Sequence, residues 1–118
     1  MFLKVLRAKI HRAKVTEAQV DYVGSITIDS DLLDASGILS GELVLVADLS
    51  DGARFETYVV PGEPGSGIIC INGAAARLVD VGDLVIIMAF AQVTPDEAET
   101  LKPTILLVDE ENRVTETL

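Results

Sequence analysis

The chain has 118 residues, 49% of them apolar, which is enough for one domain with a hydrophobic core. Its net charge of −10 argues against a nucleic-acid partner, because nucleic-acid binding depends on neutralising phosphates with cations. The sequence contains no apolar run long enough to cross a membrane, no signal-peptide pattern and only one cysteine, so we expect a cytoplasmic protein without disulfides.

The charge is distributed unevenly along the chain. Residues 1–14 contain five basic residues and no acidic residue, whereas the rest of the chain contains four basic residues and all 19 acidic residues. The local net charges are therefore +5 and −15. A small anionic substrate would be repelled by most of the molecule, so we expect it to bind where the few cations converge.

Most of the chain has the pattern of short β-strands separated by glycine and proline. Apolar and polar residues alternate over residues 2–10 and 13–20, with His11 and Arg12 between these two segments. The turn pair Asp51–Gly52 predicts a hairpin. The other predicted strands are residues 43–48, 54–60, 68–71 and 84–91.

Two short helices are predicted. One covers residues 31–36 and is closed by Gly37. The other begins after Thr94, which can cap it and forms a capping box with Glu97, and it ends at Lys102–Pro103.

The polar tail from Asp109 onward is expected to be mobile at its end. The sequence therefore predicts a single, mainly β domain over residues 1–118. Many short strands in one small unit favour a closed barrel.

Familiar catalytic motifs, such as a phosphate-binding loop or a zinc-binding helix, do not occur in this sequence. A single histidine and a single cysteine are too few for a typical zinc site, so no metal is expected. Cys70 lies among isoleucines and is interpreted as a small core residue. His11 on its own fits a structural or solvent-facing role.

The dipeptide Gly24–Ser25 has a possible chemistry of its own. The Ser25 hydroxyl could attack the Gly24 carbonyl and form an ester. Elimination would then leave dehydroalanine, and water would convert this residue to a pyruvoyl group with release of ammonia. Glycine would help by adopting unusual conformations and allowing close approach. Gly-Ser also occurs at Gly65–Ser66 and in many loops. The dipeptide alone therefore does not show whether this chemistry takes place at Gly24–Ser25.

Two strands carry cations at positions that could bind carboxylates. Lys9 and His11 are two residues apart, so they lie on one face of an extended strand, where they could form an anion site or a solvated basic edge. Arg54, Glu56 and Tyr58 also share one face. Arginine suits carboxylate binding and tyrosine can donate a proton, although a half-exposed hairpin strand has the same pattern.

In order along the chain, these motifs resemble those of the aspartate 1-decarboxylase family, pyruvoyl-dependent enzymes that make β-alanine for pantothenate biosynthesis. The resemblance extends over residues 4–107 and depends on the ordered set rather than on any single motif. The matching stretches are Lys9–Arg12, Tyr22–Ser25, Ile28–Asp29, Leu33–Ala35, Gly37–Leu39, Arg54–Tyr58, Ile71–Ala76 and Val81–Ile87.

The resemblance implies a double-psi β-barrel with short helices that assembles as a homotetramer. The precursor would cleave itself between Gly24 and Ser25 into a β chain, residues 1–24, and an α chain, residues 25–118, that begins with the pyruvoyl group. Thr57 would assist this processing by hydrogen bonding near the Gly24 carbonyl, and Asn72 would help to hold the site. Tyr58 would return a proton to the substrate carbon after CO2 leaves.

The resemblance also implies a binding site for L-aspartate at a subunit interface. Lys9 and Arg54 would bind the substrate carboxylates, and His11 and Tyr22 would lie nearby. The remaining lining would come from Thr57, Gly73, Ala74 and Ala75. The pyruvoyl carbonyl would serve as the electron sink that other decarboxylases obtain from a separate cofactor.

Two alternatives remain open at this point. The chain could be a pyruvoyl decarboxylase for another acidic amino acid, such as glutamate. It could also be a double-psi barrel without enzymatic activity that binds a partner through its basic N-terminal face.

Overall fold

A computed structural model describes residues 1–118 as nine β-strands with three short helical segments. The helical segments are α1 (Ser30–Ser36), a 3₁₀ helix (Gly73–Leu78) and α2 (Pro95–Thr100). The strands are β1 (Leu3–Lys14), β2 (Glu17–Gln19), β3 (Ser25–Asp29), β4 (Leu43–Asp48), β5 (Arg54–Gly62), β6 (Ile69–Asn72), β7 (Leu84–Val93), β8 (Thr104–Val108) and β9 (Val114–Thr117).

The strands lie in the spatial order β2-β6-β3-β5-β4-β7-β1-β8-β9. Three neighbouring pairs are parallel, namely β1 with β8, β2 with β6, and β3 with β5, and the other pairs are antiparallel. The predicted mainly β fold with short helices is confirmed. The mixed pairing agrees with the predicted double-psi β-barrel.

The core consists of aliphatic side chains at alternate positions of the central strands. Isoleucine predominates, as expected for strands that are buried against one another. The fully buried isoleucines are Ile10, Ile26, Ile28, Ile38, Ile69, Ile71 and Ile87. The core thus lies directly against β3 and β6, the two strands that carry the Ser25 region.

The first strand differs from the prediction at His11–Arg12. These residues do not end the strand, because β1 continues to Lys14. Arg12 has a φ of 66°, and the register with β7 shifts between Ile10 and Ala13. The strand therefore accommodates an extra residue in a bulge, which re-aims the side chains without breaking the pairing. The predicted second strand is reduced to β2.

Both predicted helices are confirmed. Asp29 caps α1 by accepting a hydrogen bond from the backbone N–H of Asp31 at 2.8 Å, and Gly37 closes it with a φ of 80°. At α2, Thr94 and Glu97 form the predicted capping box. None of these helices is long and apolar enough to cross a membrane.

The acidic tail is more structured than predicted. Residues 114–117 form β9, which pairs antiparallel with β8. Asn112 is buried in front of this strand, and its side chain accepts from the Lys14 backbone N–H at 2.7 Å. The same side chain donates to the carbonyl oxygens of Lys14 at 2.9 Å and Gly67 at 2.7 Å. These contacts fix the tail to β1 and to the loop before β6.

Candidate functional site

Ser25 lies where an exposed loop enters the core. It is the first residue of β3 and its exposed fraction is 4%, whereas Val23 and Gly24 before it are exposed. Residue 25 pairs with Asn72, the last residue of the antiparallel strand β6. An exposed residue on one side and a buried residue on the other therefore meet at the Gly24–Ser25 peptide bond.

The Ser25 hydroxyl is held by two hydrogen bonds. Its Oγ donates to the carbonyl oxygen of Val23 at 3.2 Å and accepts from Nδ2 of Asn72 at 3.0 Å. The same Nδ2 donates to Oγ1 of Thr27 at 3.1 Å. Because Ser25 and Asn72 are both buried, water competes little with these bonds. The structure thus brings together two residues that the sequence placed in self-processing.

Gly73 makes the closest backbone approach to Gly24. The next step of the β3–β6 register places these two glycines opposite each other. Gly73 has a φ of 80°, and a Cβ built on it would lie 2.6 Å from Cα and 3.0 Å from N of Gly24. Such distances are shorter than van der Waals contact, so only glycine fits at position 73 without displacing Gly24.

The reason given for a glycine at position 24 is therefore wrong in this structure. A Cβ built on Gly24 would meet no atom within 4 Å, and Gly24 does not have the positive φ that marks Gly73. The requirement for close approach and for an unusual backbone conformation falls on Gly73. A side chain at position 24 would point into open space.

Thr57 and Tyr58 approach the same peptide bond from β5. Ile26 of β3 pairs with Val59 of the parallel strand β5. Continuing this register by two residues places Thr57 beside Gly24 and Tyr58 beside Ser25. Thr57 is half-buried and forms no side-chain hydrogen bond with Gly24, so the expected contact with the Gly24 carbonyl is not made within this chain. Tyr58 is 42% exposed.

Lys9 and Arg54 do not meet within one chain. Lys9 lies on β1 and Arg54 on β5, and β7 and β4 separate these strands. At a strand spacing of about 4.8 Å, the two positions are about 14 Å apart across the sheet. The only ion pair in the chain joins Arg7 and Glu42, so both cations remain free to bind carboxylates from outside.

The two predicted neighbours of the site differ in position. The carbonyl oxygen of Tyr22 lies 3.3 Å from the position of a Cβ on Gly73, but the Tyr22 side chain is 64% exposed. His11 lies on β1 opposite Leu107, outside the hydrogen-bonded group around Ser25. Burial and the nearby charges of Lys9 and Arg12 lower the pKa of His11, so its ring is neutral at pH 7.

The small residues after Asn72 begin the 3₁₀ helix. Gly73 is buried, Ala75 is half-buried and Ala74 is exposed. Exposure in this segment therefore begins at Ala74, one residue after the glycine that lies against Gly24. No group of three or more histidine, cysteine, aspartate or glutamate side chains comes together to hold a metal ion.

Cys70 forms a polar contact with Asn72 that the sequence interpretation missed. The side chain is buried, as expected for a core residue, but its Sγ also donates to Oδ1 of Asn72 at 3.2 Å. Residues 70 and 72 are two apart in β6 and therefore share one face. This spacing was the signal in the sequence that could have identified the contact.

A cavity lies elsewhere, against β4, β5 and β7 and the start of β1. Its volume is about 500 Å³, and its lining includes Lys4, Leu43, Glu56 and Phe90. None of the predicted site residues lines it. The candidate site is therefore the group of residues around Ser25, which lies outside this cavity.

Comparison with known proteins identifies the family of this chain. A family model described as aspartate decarboxylase matches residues 1–115. The chain belongs to the aspartate decarboxylase family. The prediction that it is a decarboxylase, and hence an enzyme of the lyase class, is confirmed by this membership.

Curated relatives match this family member over nearly its full length. Aspartate 1-decarboxylase from Bacillus licheniformis is 52% identical over 118 residues, which cover 100% of this chain and 93% of that protein. Aspartate 1-decarboxylase from Lactiplantibacillus plantarum is 58% identical over 115 residues, which cover 98% of this chain and 88% of that protein.

Among solved structures, the rationally designed protein mkDPBB_sym_86 is similar at a TM-score of 0.46 and 19% identity. The similarity covers 71% of this chain and 95% of the designed chain.

Proposed function

We propose that this chain converts L-aspartate to β-alanine and CO2 through a pyruvoyl group that it makes from Ser25. Family membership supports the reaction, and the buried Ser25 hydroxyl beside an exposed Gly24 carries the proposal for its cofactor. The surroundings fit such a group. Asn72 donates to Ser25 Oγ at 3.0 Å, and the space against Gly24 is one that a Cβ on Gly73 would fill.

Self-processing uses atoms of the chain and water. Ser25 Oγ attacks the carbonyl carbon of Gly24, the C–N bond breaks, and the nitrogen takes up the hydroxyl proton, which leaves an ester. The Cβ–Oγ bond of residue 25 then breaks with loss of its Cα proton to water, giving a Gly24 carboxylate and dehydroalanine. Addition of water releases ammonia and leaves the pyruvoyl group at the start of residues 25–118.

The short fragment stays in the fold after cleavage. Residues 1–24 include β1, which lies between β7 and β8 and is hydrogen bonded to both. Cleavage after Gly24 removes none of these bonds. After cleavage, residues 1–24 and residues 25–118 would therefore remain together as one folded domain of two chains.

The bound pyruvoyl group supplies an electron sink for the electrons that remain when CO2 leaves the substrate. The other tasks belong to side chains. Lys9 and Arg54 bind the two carboxylates, and a substrate with only one carboxylate would leave one cation unpaired. Tyr58, beside residue 25 in the strand register, returns a proton to the substrate carbon. Thr57, Ala74 and Ala75 line the site.

We further propose that the active form is a homotetramer with sites at subunit interfaces, in the cytoplasm and in the pathway to pantothenate. Two observations support assembly. Lys9 and Arg54 are too far apart within one chain to hold one aspartate, and several large apolar side chains around the site are exposed. These exposed side chains include Tyr22, Val23, Leu43 and Tyr58.

Intact-mass analysis of fresh and aged protein tests the proposal. The wild-type chain should split into two fragments, and residue 25 should be blocked to N-terminal sequencing and react with hydrazine. Ser25→Ala should remain one chain and form no β-alanine, because it lacks the attacking hydroxyl. A fully active Ser25→Ala variant would exclude the proposed mechanism. Release of CO2 from glutamate in preference to aspartate would instead assign a different acidic substrate.

A further inference from the structure

Four polar side chains form a buried group on one face of the β3–β6 pair. Ser25 is paired with Asn72 and Thr27 with Cys70, and alternation along each strand places all four side chains on the same face. Ser25, Cys70 and Asn72 are buried and Thr27 is half-buried. We define these four residues as the β3–β6 polar group.

Asn72 is the centre of the β3–β6 polar group. Its Nδ2 donates to Ser25 Oγ at 3.0 Å and to Thr27 Oγ1 at 3.1 Å. Its Oδ1 accepts from Cys70 Sγ at 3.2 Å. An amide nitrogen has two hydrogens to donate, so this orientation uses both of them.

Ser25 and Cys70 together decide which way the amide faces. The Ser25 hydroxyl uses its one hydrogen in the bond to the Val23 carbonyl, so it can only accept from Asn72, whereas the Thr27 hydroxyl could bond either end of the amide. A thiol is a weak acceptor but carries one hydrogen, and in the reverse orientation this hydrogen would face an NH2 group. Cys70 therefore favours Nδ2 toward Ser25 from the other end of the amide.

Cys70 keeps its hydrogen at neutral pH. Burial and the neighbouring Glu17 carboxylate raise the pKa of the Cys70 thiol to about 11. Glu17 lies beside Cys70 because β2 runs parallel to β6 in the register Glu17 with Cys70. Burial, together with the charge of this carboxylate, thus keeps the thiol in the protonated form that can donate.

We propose that Cys70 is a positioning residue for self-cleavage, because its thiol holds the Asn72 amide with Nδ2 toward Ser25 Oγ. The inference rests on the proposed function. When the ester breaks, the electron pair of the Cβ–Oγ bond moves to Oγ, which becomes a carboxylate oxygen of Gly24, and water takes the Cα proton. A donor at Oγ stabilises this charge, whereas Oδ1 in its place would repel it.

Three substitutions of Cys70 test the proposal. Cys70→Ser keeps a donor and should cleave within about twofold of the wild-type rate. Cys70→Val and Cys70→Ala remove the donor and should cleave about threefold to tenfold more slowly, the range expected for one hydrogen bond between neutral groups. The rate constant is measured by intact mass on freshly made precursor.

Hydroxylamine separates this positioning role from a loss of packing. It cleaves the ester and leaves the amide, so it measures how much ester accumulates before elimination. Cys70→Val should accumulate more ester than the wild type because elimination is slowed. Ile28→Val is the matched control, since Ile28 is fully buried on β3 and its side chain lies on the face opposite the β3–β6 polar group. It should lower thermal stability without changing ester accumulation.

Two results would overturn the inference. One is wild-type cleavage and ester levels in Cys70→Val, and the other is equal slowing in Cys70→Val and Ile28→Val at equal thermal stability. Failure of the wild-type chain to cleave would contradict the proposed function, and this inference with it. Normal wild-type cleavage with an unaffected Cys70→Val variant would contradict the role of Cys70 alone.

Discussion

The surroundings of Ser25 and the pair of cations Lys9 and Arg54 differ in how far one chain completes them. Ser25 has its hydrogen-bond partners and its close backbone neighbour, Gly73, within the same chain. Lys9 and Arg54 lie on strands separated by two others, and neither has a partner. Under the proposed function, we therefore expect self-cleavage to depend on contacts within one subunit and binding of aspartate to require assembly.

Substitution of Arg54 should separate the two functions most clearly. Arg54→Ala should cleave at the wild-type rate but lose about 100-fold in kcat/KM for aspartate, because a charge-assisted contact to a carboxylate is lost. Cleavage is followed by intact mass and turnover by β-alanine formation. Lys102→Ala, which removes an exposed cation that has no ion-pair partner, is the control and should leave both unchanged. Normal turnover in Arg54→Ala would remove Arg54 from the substrate site.

Mixed oligomers test whether the two cations of one site come from different subunits. If one site uses Lys9 of one subunit and Arg54 of another, oligomers assembled from Lys9→Ala and Arg54→Ala chains contain some sites with both cations. With random mixing of equal amounts, about one site in four then has both cations, so co-expression should raise activity by about 25-fold over either variant alone, given a loss of about 100-fold in each. Activities that merely average would show that both cations act from the same subunit. The oligomeric state is measured by light scattering.

Gly73→Ala tests the surroundings of Ser25, which one chain completes through the contact between Gly73 and Gly24. The added methyl would collide with Gly24, and alanine is strained at the positive φ of this position, so self-cleavage should slow by at least about tenfold. Gly41→Ala is the matched control, because Gly41 has a φ of 82° but a Cβ there would meet no atom within 4 Å. Both variants carry the same backbone strain. Equal cleavage rates in the two would show that the contact with Gly24 has no effect.

The smallest effect is expected at Arg7, the one cation of the basic segment that has an ion-pair partner. Burial opposes ionisation of Glu42, but hydrogen bonds from Arg7 and from the Leu39 backbone lower its pKa below the usual 4.5. A lowered pKa contributes stability above the usual value and loses it as pH falls through the folded-state pKa.

Glu42→Gln should therefore reduce the free energy of unfolding by about 0.5–1 kcal/mol at pH 7. The difference from wild type should disappear at acid pH, where Glu42 is protonated in both the folded and the unfolded chain. Urea unfolding at several pH values measures it. A difference that persists at acid pH would assign the effect to packing.

Features set by neighbours in sequence could be predicted, and those set by distant contacts could not. The capping box of Thr94 and Glu97 depends on residues three apart, and it is present. The order of the tail depends on Asn112 bonding Lys14, 98 positions earlier, which a polar composition does not reveal. The bulge at Arg12 could not be predicted from the local sequence, because it is fixed by the pairing of β1 with β7.

The site shows the same division. Ser25, Asn72 and Gly73 were identified through resemblance to a family, but the register of β3 against β6 was needed to show which glycine must be a glycine. Cys70 appeared to be a core residue because its neighbours are isoleucines. Its spacing from Asn72 indicated that the two side chains share a face, but the hydrogen bond itself depends on the orientation of a single amide group, which the sequence does not show.

After the proposed cleavage, the position of β1 between β7 and β8 should change how the protein unfolds. Before cleavage, melting is a rearrangement of one molecule. Afterwards the fragments 1–24 and 25–118 separate as they unfold, and recovery requires two different molecules to find each other again. The melting temperature of mature enzyme should then rise with protein concentration through this fragment pairing as well as through subunit assembly, and heat inactivation should become hard to reverse in dilute solution.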